Sequence, residues 1–226
     1  MSVGLAEARE RIDAILGGYR EALDEAAQSP LPPALTAGKV YEAWVLLDVL
    51  RRLRDREGYT PKLINAGEVR LKTSAGAIDR DDPHFLLTAS GREPLEVWTD
   101  IEFLSLSAGV RGISAPLAER CDYHELDIVV VPAGTRGRPA AEHVRIGVEC
   151  KNVTYRKELL RAILGVRREL SYLTDPQATR FRRWPHTSVN AMPPSCLLAY
   201  GSDPRIGDFG PPGEVFSIDF VHEPLP

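Results

Sequence analysis

The chain has little cysteine, no long apolar run and no excess of basic charge, and each shortage narrows the answer. Its three cysteines in 226 residues, Cys121, Cys150 and Cys196, form no CxxC pair and no zinc-ligand spacing. A disulfide scaffold and a cysteine-rich zinc module are therefore excluded. Cys150 and Cys196 lie in strand-like runs and read as small buried hydrophobes, which suits a reducing cytoplasm. No apolar stretch approaches the ~20 residues of a membrane span. Met1 to Glu10 lack the apolar core of a signal peptide. The expectation is a cytoplasmic protein with no membrane partner. A net charge of -4 gives no global field that would attract a polyanion, so any nucleic acid must be held by a local patch. Neither a GxxxxGK[ST] loop nor a GxSxG elbow occurs. The histidines form no ligand pair and read as surface or loop residues; only His124, close before Asp127, stands out.

What is present centres on one stretch. Glu125 to Val131 is short, rich in β-branched residues and bounded by turn residues, and so reads as a buried strand. Val144 to Lys151 reads the same way, and the breakers Pro132 to Pro139 join the two into a hairpin. Side chains on a strand alternate with period two, so Glu149 and Lys151 share one face and Val148 and Cys150 the other. Asp127 faces the same way as Glu149 if the register allows. Two carboxylates and an ammonium in an apolar hairpin are costly unless paired or bound to a metal. Two close carboxylates suit a hard divalent cation such as Mg²⁺ (or Mn²⁺), and a lysine beside it can steady or deprotonate a water. Against this stands the blander reading of a Glu-x-Lys as a solvated surface pair.

Around that hairpin the chain reads in order. Residues 5–27 form an amphipathic helix, and Ser29 to Pro33 end it as a stiff connector, so residues 1–33 are an appended helix and linker. A strongly apolar helix spans 37–57 with Thr36 as its N-cap. Glu42 lies beside that helix's apolar stripe. Either it pairs with Lys39 at the surface, or it aims a carboxylate at the hairpin. A broken strand candidate runs from Lys62 to Lys72. Residues 73–94 read as loop, with the acidic Asp79 to Asp82 as a turn because it lacks calcium-loop spacing. Pro94 to Leu104 alternates and reads as a half-exposed strand with Asp100 and Glu102 on its solvent face. A helix follows from 156 to 173. Its Arg167 and Arg168, with Arg182 and Arg183 beside Phe181 and Trp184, form the most basic region. Interleaved arginines and aromatics can hold phosphates and stack bases, though helical charges are more often a solvated face. Residues 195–201 and 214–221 read as the last two strands, joined by a Gly/Pro-rich connector.

A helix carrying Glu42, a strand carrying Asp127, a strand carrying Glu149-Cys150-Lys151, then helix and strand resemble the PD-(D/E)xK superfamily of restriction-endonuclease-like nucleases. The likeness covers about residues 37–220 apart from 73–122, and Leu126 stands where that pattern often has Pro. It implies an α/β fold, a three-layer α/β/α arrangement with a mixed central sheet, in a domain of residues 34–226 with 73–122 as an insertion. It implies Mg²⁺-dependent hydrolysis of phosphodiester bonds, of DNA before RNA, in a setting such as defence or repair. Asp127 and Glu149 would bind the metal with the carbonyl of Cys150, Lys151 would orient or activate water, and Glu42 would complete the acidic site. The resemblance leaves room for a homodimer and for partner proteins of a multi-component system. The rival reading is a nuclease-fold binding or assembly module that no longer cuts; the presence of every expected residue type disfavours it.

Overall fold

A computed structural model describes residues 3–19, 35–65 and 75–225. Seven strands form one mixed sheet in the order β1-β2-β3-β4-β5-β8-β9. They are β1 (Thr60–Ile64), β2 (His84–Thr88), β3 (Leu95–Leu104), β4 (Tyr123–Pro132), β5 (Ile146–Lys151), β8 (Cys196–Gly201) and β9 (Ile218–His222). The first five run antiparallel, while β5, β8 and β9 are parallel neighbours. A short helix, α3 (Leu106–Val110), lies between β3 and β4; parallel strands need a crossover, and the helix α4 (Lys157–Leu170) lies in the one from β5 to β8. A separate hairpin, β6 (Tyr172–Ala178) with β7 (Ser188–Met192), branches from that crossover.

Helices cover both faces, so the central strands are buried on both sides and read as continuous apolar runs. On one face α1 (Val3–Gly17) and α2 (Ala37–Glu57) pack through Ile12, Leu16, Val45, Val49 and Leu53 onto Ile128, Val130, Ile146 and Val148. On the other, Ile163 and Leu170 of α4 meet Val129, Val131, Leu197 and Ala199. Thr36 caps α2, its hydroxyl accepting the Lys39 N–H, and Gly58 ends the helix at φ 75°. That left-handed turn favours a residue without a Cβ.

Several expectations change. Within residues 73–122, β2 and β3 are the second and third strands of the sheet. Residues 73–94 are not all loop: His84–Thr88 forms β2, while Asp79 to Asp82 does form a turn. The stretch from Glu214 to Phe216 is helical, not strand, and belongs to α5 (Gly210–Phe216). Two prolines at its start favour a helix N-terminus, and Ser217 stops it in the left-handed region, so β9 begins only at Ile218. The first helix ends at Gly17, where the sequence weakens it; residues 20–27 of the expected helix, the connector 29–33 and 66–72 of the broken strand lie outside the described residues. His84 is buried and stacked on Trp98 at 3.9 Å between ring centres, not a surface residue.

Candidate metal centre

The site is built where the sheet's alternation fails. Along β3, Val97 belongs to the core under α2 and Trp98 to the opposite core. Beyond Asp100 the parity reverses, and Ile101 and Phe103 lie with Trp98. β4 does the same: Ile128 and Val130 face α2, yet Leu126, also an even position, lies in the opposite core. Both reversals occur between the same two pairs, Thr99–Ile128 and Ile101–Leu126. The residues between them are Asp100 and Asp127. Asp100 takes φ 54°, a left-handed conformation uncommon for a residue other than glycine. The displaced Leu126 fits because Gly147 on β5 has no side chain; a Cβ there would stand 3.0 Å from Leu126 Cδ1.

The distortion gathers carboxylates beside α2. Glu42, Asp100 and Asp127 each offer an oxygen, and the three oxygens lie within 4.8 Å of one another. The pairing of β4 with β5 stops at Ile128–Val148, and past that point Asp127 Oδ2 accepts the N–H of Cys150 at 2.6 Å. A side chain thus takes a bond that the neighbouring backbone would otherwise supply. Glu149 and Lys151 form an ion pair of 2.8 Å, and Lys151 Nζ lies 3.8 Å from Asp127 Oδ2. On the α2 side Lys39 Nζ donates to Glu42 Oε2 at 2.6 Å and to Asp100 Oδ1 at 2.5 Å. Glu42 thus pairs with Lys39, though not at the surface, and its carboxylate oxygen lies within 4.8 Å of one from Asp127.

The electrostatics follow from burial and crowding. Burial, with Asp127 and Asp100 nearby, pushes the Glu42 carboxyl up to about 7 although Lys39 opposes it. Glu149 is raised by burial and by Asp127, against the pull of Lys151. Burial would lower Lys151, but Glu149 and Asp127 outweigh it and hold the ammonium well above its ordinary value. The Cys150 thiol is buried and raised by that burial, so Cys150 acts here through its backbone.

Two corrections concern residues placed wrongly by the sequence. Asp100 is not on a solvent face but fully buried. Glu102 is partly buried and paired with Arg138 at 2.7 Å. The adjacent apolar pair Val97-Trp98, just before Asp100 in the run, hints at the shift that turns Asp100 inward. The basic region also breaks up. Arg167 is buried and bonds to the Ser195 carbonyl at 2.9 Å and hydroxyl at 2.7 Å, so it holds no phosphate at the surface. Arg168 is exposed and lies over Tyr172. Arg182 and Arg183 are exposed, but their backbone N–H groups bind Glu57 at the end of α2 far from Glu42. Glu42 and Glu57 are 15 residues apart on that helix, about 22 Å along its axis at 1.5 Å per residue. His124 stands in β4 near the Phe103 ring. No helix among the described residues is long and apolar enough to cross a membrane. Comparison of the chain with protein families, curated proteins and solved structures finds no match in any of the three.

Proposed function

We propose that the chain is a metal-dependent nuclease of the restriction-endonuclease-like kind, hydrolysing phosphodiester bonds of nucleic acid, with DNA as the expected substrate. One observation carries the reading: Asp127, Glu149 and Lys151 meet at the point where β4 and β5 part, with Glu42 and Asp100 beside them. The α/β sheet with helices on both faces is compatible with it.

The donor set fits Mg²⁺ or Mn²⁺, since every candidate side-chain ligand is a hard carboxylate oxygen. The upward shifts of Glu42 and Glu149 mark carboxylates crowded together in a buried place, which a divalent cation relieves. Asp127 and Glu149 would hold the ion with the Cys150 carbonyl. When bound it would polarise the phosphate and lower the pKa of water. Lys151, beside Asp127 and Glu149, would orient or activate the attacking water. Water oxygen joins phosphorus as the water gives up a proton, the bond to the leaving oxygen breaks, and that oxygen takes a proton. Arg156 and Lys157, exposed at the start of α4 and within six residues of Lys151, would be the basic side chains that meet the strand.

The test is purified protein with plasmid, linear duplex, single-stranded DNA and RNA, in Mg²⁺, Mn²⁺ or EDTA. Cleavage should need the metal. Lys151→Ala should lose about 100-fold or more, the scale of one positioned charge-stabilising group. Undiminished cleavage by that variant, or activity that survives EDTA, would sink the assignment.

A further inference from the structure

A cavity of about 320 Å³ lies where α4, the β6–β7 hairpin and α5 meet. Its wall is mostly apolar, with Leu164 from α4, Tyr172 and Leu173 from β6, and Phe216 from α5. The exposed side chains of Tyr172 and Leu173 mark its open side. Two cations also line it. Arg168 is exposed and lies over the Tyr172 ring. Arg167 is only 5% exposed. Its Nη atoms donate to the Ser195 carbonyl and to the hydroxyls of Ser171 and Ser195, and its Nε finds no partner among the protein atoms. Every one of those acceptors is neutral. Among the described residues, the titratable neighbour that bears on its charge is the Cys196 thiol, which burial pushes up to about 12 and so keeps neutral at pH 7. Burial pulls the Arg167 pKa down to about 10, so the guanidinium keeps its proton there. A buried charge is ordinarily paired, because neutral dipoles replace only part of its lost hydration. Arg167 is a buried cation without a counter-charge, on the wall of an apolar cavity.

We propose that this cavity binds a small organic anion, its carboxylate or phosphate group set against Arg167 and Arg168 and its apolar or ring-shaped body among Tyr172, Leu173 and Phe216. The volume suits such a ligand, since small-molecule sites begin at about 300 Å³. Guanidinium groups match carboxylate and phosphate oxygens, and the Nε–H of Arg167 is a donor still unused. The cavity lies at the far end of α4 from Lys151: ten residues separate Lys157 from Arg167, about 15 Å along the axis at 1.5 Å per residue. A ligand there is independent of the nuclease reading.

The test is isothermal titration and thermal melting of the full-length chain in EDTA, with phenyl phosphate, 3-phenylpropionate, the neutral 3-phenylpropanol and inorganic phosphate as probes. At least one of the two aromatic anions should bind once per chain and raise the melting temperature. The alcohol lacks the charge and inorganic phosphate lacks the apolar body, so each should bind about tenfold more weakly or less. The better of the two aromatic anions tells phosphate from carboxylate. Arg168→Glu, at an exposed position, should fold as the wild type does and bind that anion several-fold more weakly, with the alcohol unaffected. Arg167→Met should bind anion and alcohol alike. Amide shifts on adding the anion should move in residues 164–173 and 190–191 and stay still around Asp127. Wild-type protein that binds neither aromatic anion, or binds anion and alcohol equally, overturns the site, as do shifts centred elsewhere. If Arg167→Met does not fold, Arg168→Glu and the shift map decide, and unchanged anion affinity in Arg168→Glu also overturns it.

Discussion

Asp100 shows how one residue can carry a site that its neighbours conceal. Its backbone is strained and its side chain is buried, and Lys39, 2.5 Å away, is among the partners that hold it. Arg167 is the opposite case, a cation drawn out of the expected binding surface. Burial lowers its pKa to about 10, and its hydrogen bonds to Ser195 fix the end of α4 to the turn before β8. His186 offers a test at the same scale. Its Nε2 lies 2.8 Å from Asp219 Oδ1, and that hydrogen bond raises the imidazole above its ordinary 6.5 despite partial burial. A raised folded pKa means that protonation favours the native state. The contribution is complete below the unfolded value of 6.5 and is lost as pH rises through the folded value. The ring is 40% exposed, so the effect is small. The wild-type melting temperature should therefore include a modest fall as pH rises above 6.5 that His186→Asn lacks. Identical slopes for the two proteins would count against it.

At the scale of elements, α2 serves both ends of the molecule. Its first two turns bring Lys39 and Glu42 to the acid cluster, and its last residue organises the loop before β7. The Glu57 side chain is buried and accepts N–H bonds from Arg182 at 2.9 Å, Arg183 at 2.5 Å and Trp184 at 2.8 Å. Arg92 adds an ion pair at 2.8 Å. These donors outweigh burial and hold the Glu57 carboxyl below its ordinary range. Glu57→Gln turns an amide N–H₂ toward some of those donors and removes the charge that Arg92 meets. It should cost about 2–4 kcal/mol, the scale of a buried charged partner lost, measured by urea unfolding. A loss under about 0.5 kcal/mol, as at ordinary surface sites, would show the loop is held by its apolar anchors Phe181 and Trp184 alone.

The whole molecule is acidic, so where its few well-placed cations lie decides what it can grip. Arg182 and Arg183 sit at the far end of α2, whereas Arg156 and Lys157 follow the Lys151 strand directly. Each phosphate contact contributes about 0.9 to the slope of log affinity against log salt. Arg156→Glu with Lys157→Glu should weaken duplex binding and lower that slope by about 2. Arg182→Glu with Arg183→Glu should change neither. Binding titrations at several salt concentrations separate the two faces, and the reverse pattern would move the nucleic acid to the other end of the molecule.

Local pattern was enough for some of this. The β-branched runs around Asp127 and Glu149 dictated buried strands, because such residues fit a pleated sheet covered on both faces. Thr36 and the apolar stripe dictated α2, since capping and 3.6-residue periodicity act within a few turns of chain. Glu149 and Lys151 on one strand were legible for the same reason. What sequence could not supply was anything set by contact across the fold. The reversal at Asp100 depends on Asp127 opposite it and on the gap that Gly147 leaves for Leu126. The burial of Arg167 depends on Ser195, 28 residues further on. The split of the basic region depends on Glu57 capturing a loop from more than a hundred residues away. Periodicity reports which face a side chain takes only while the ladder is regular. At the acid cluster the ladder breaks, and packing between the helix and the splayed strands decides where each charge goes.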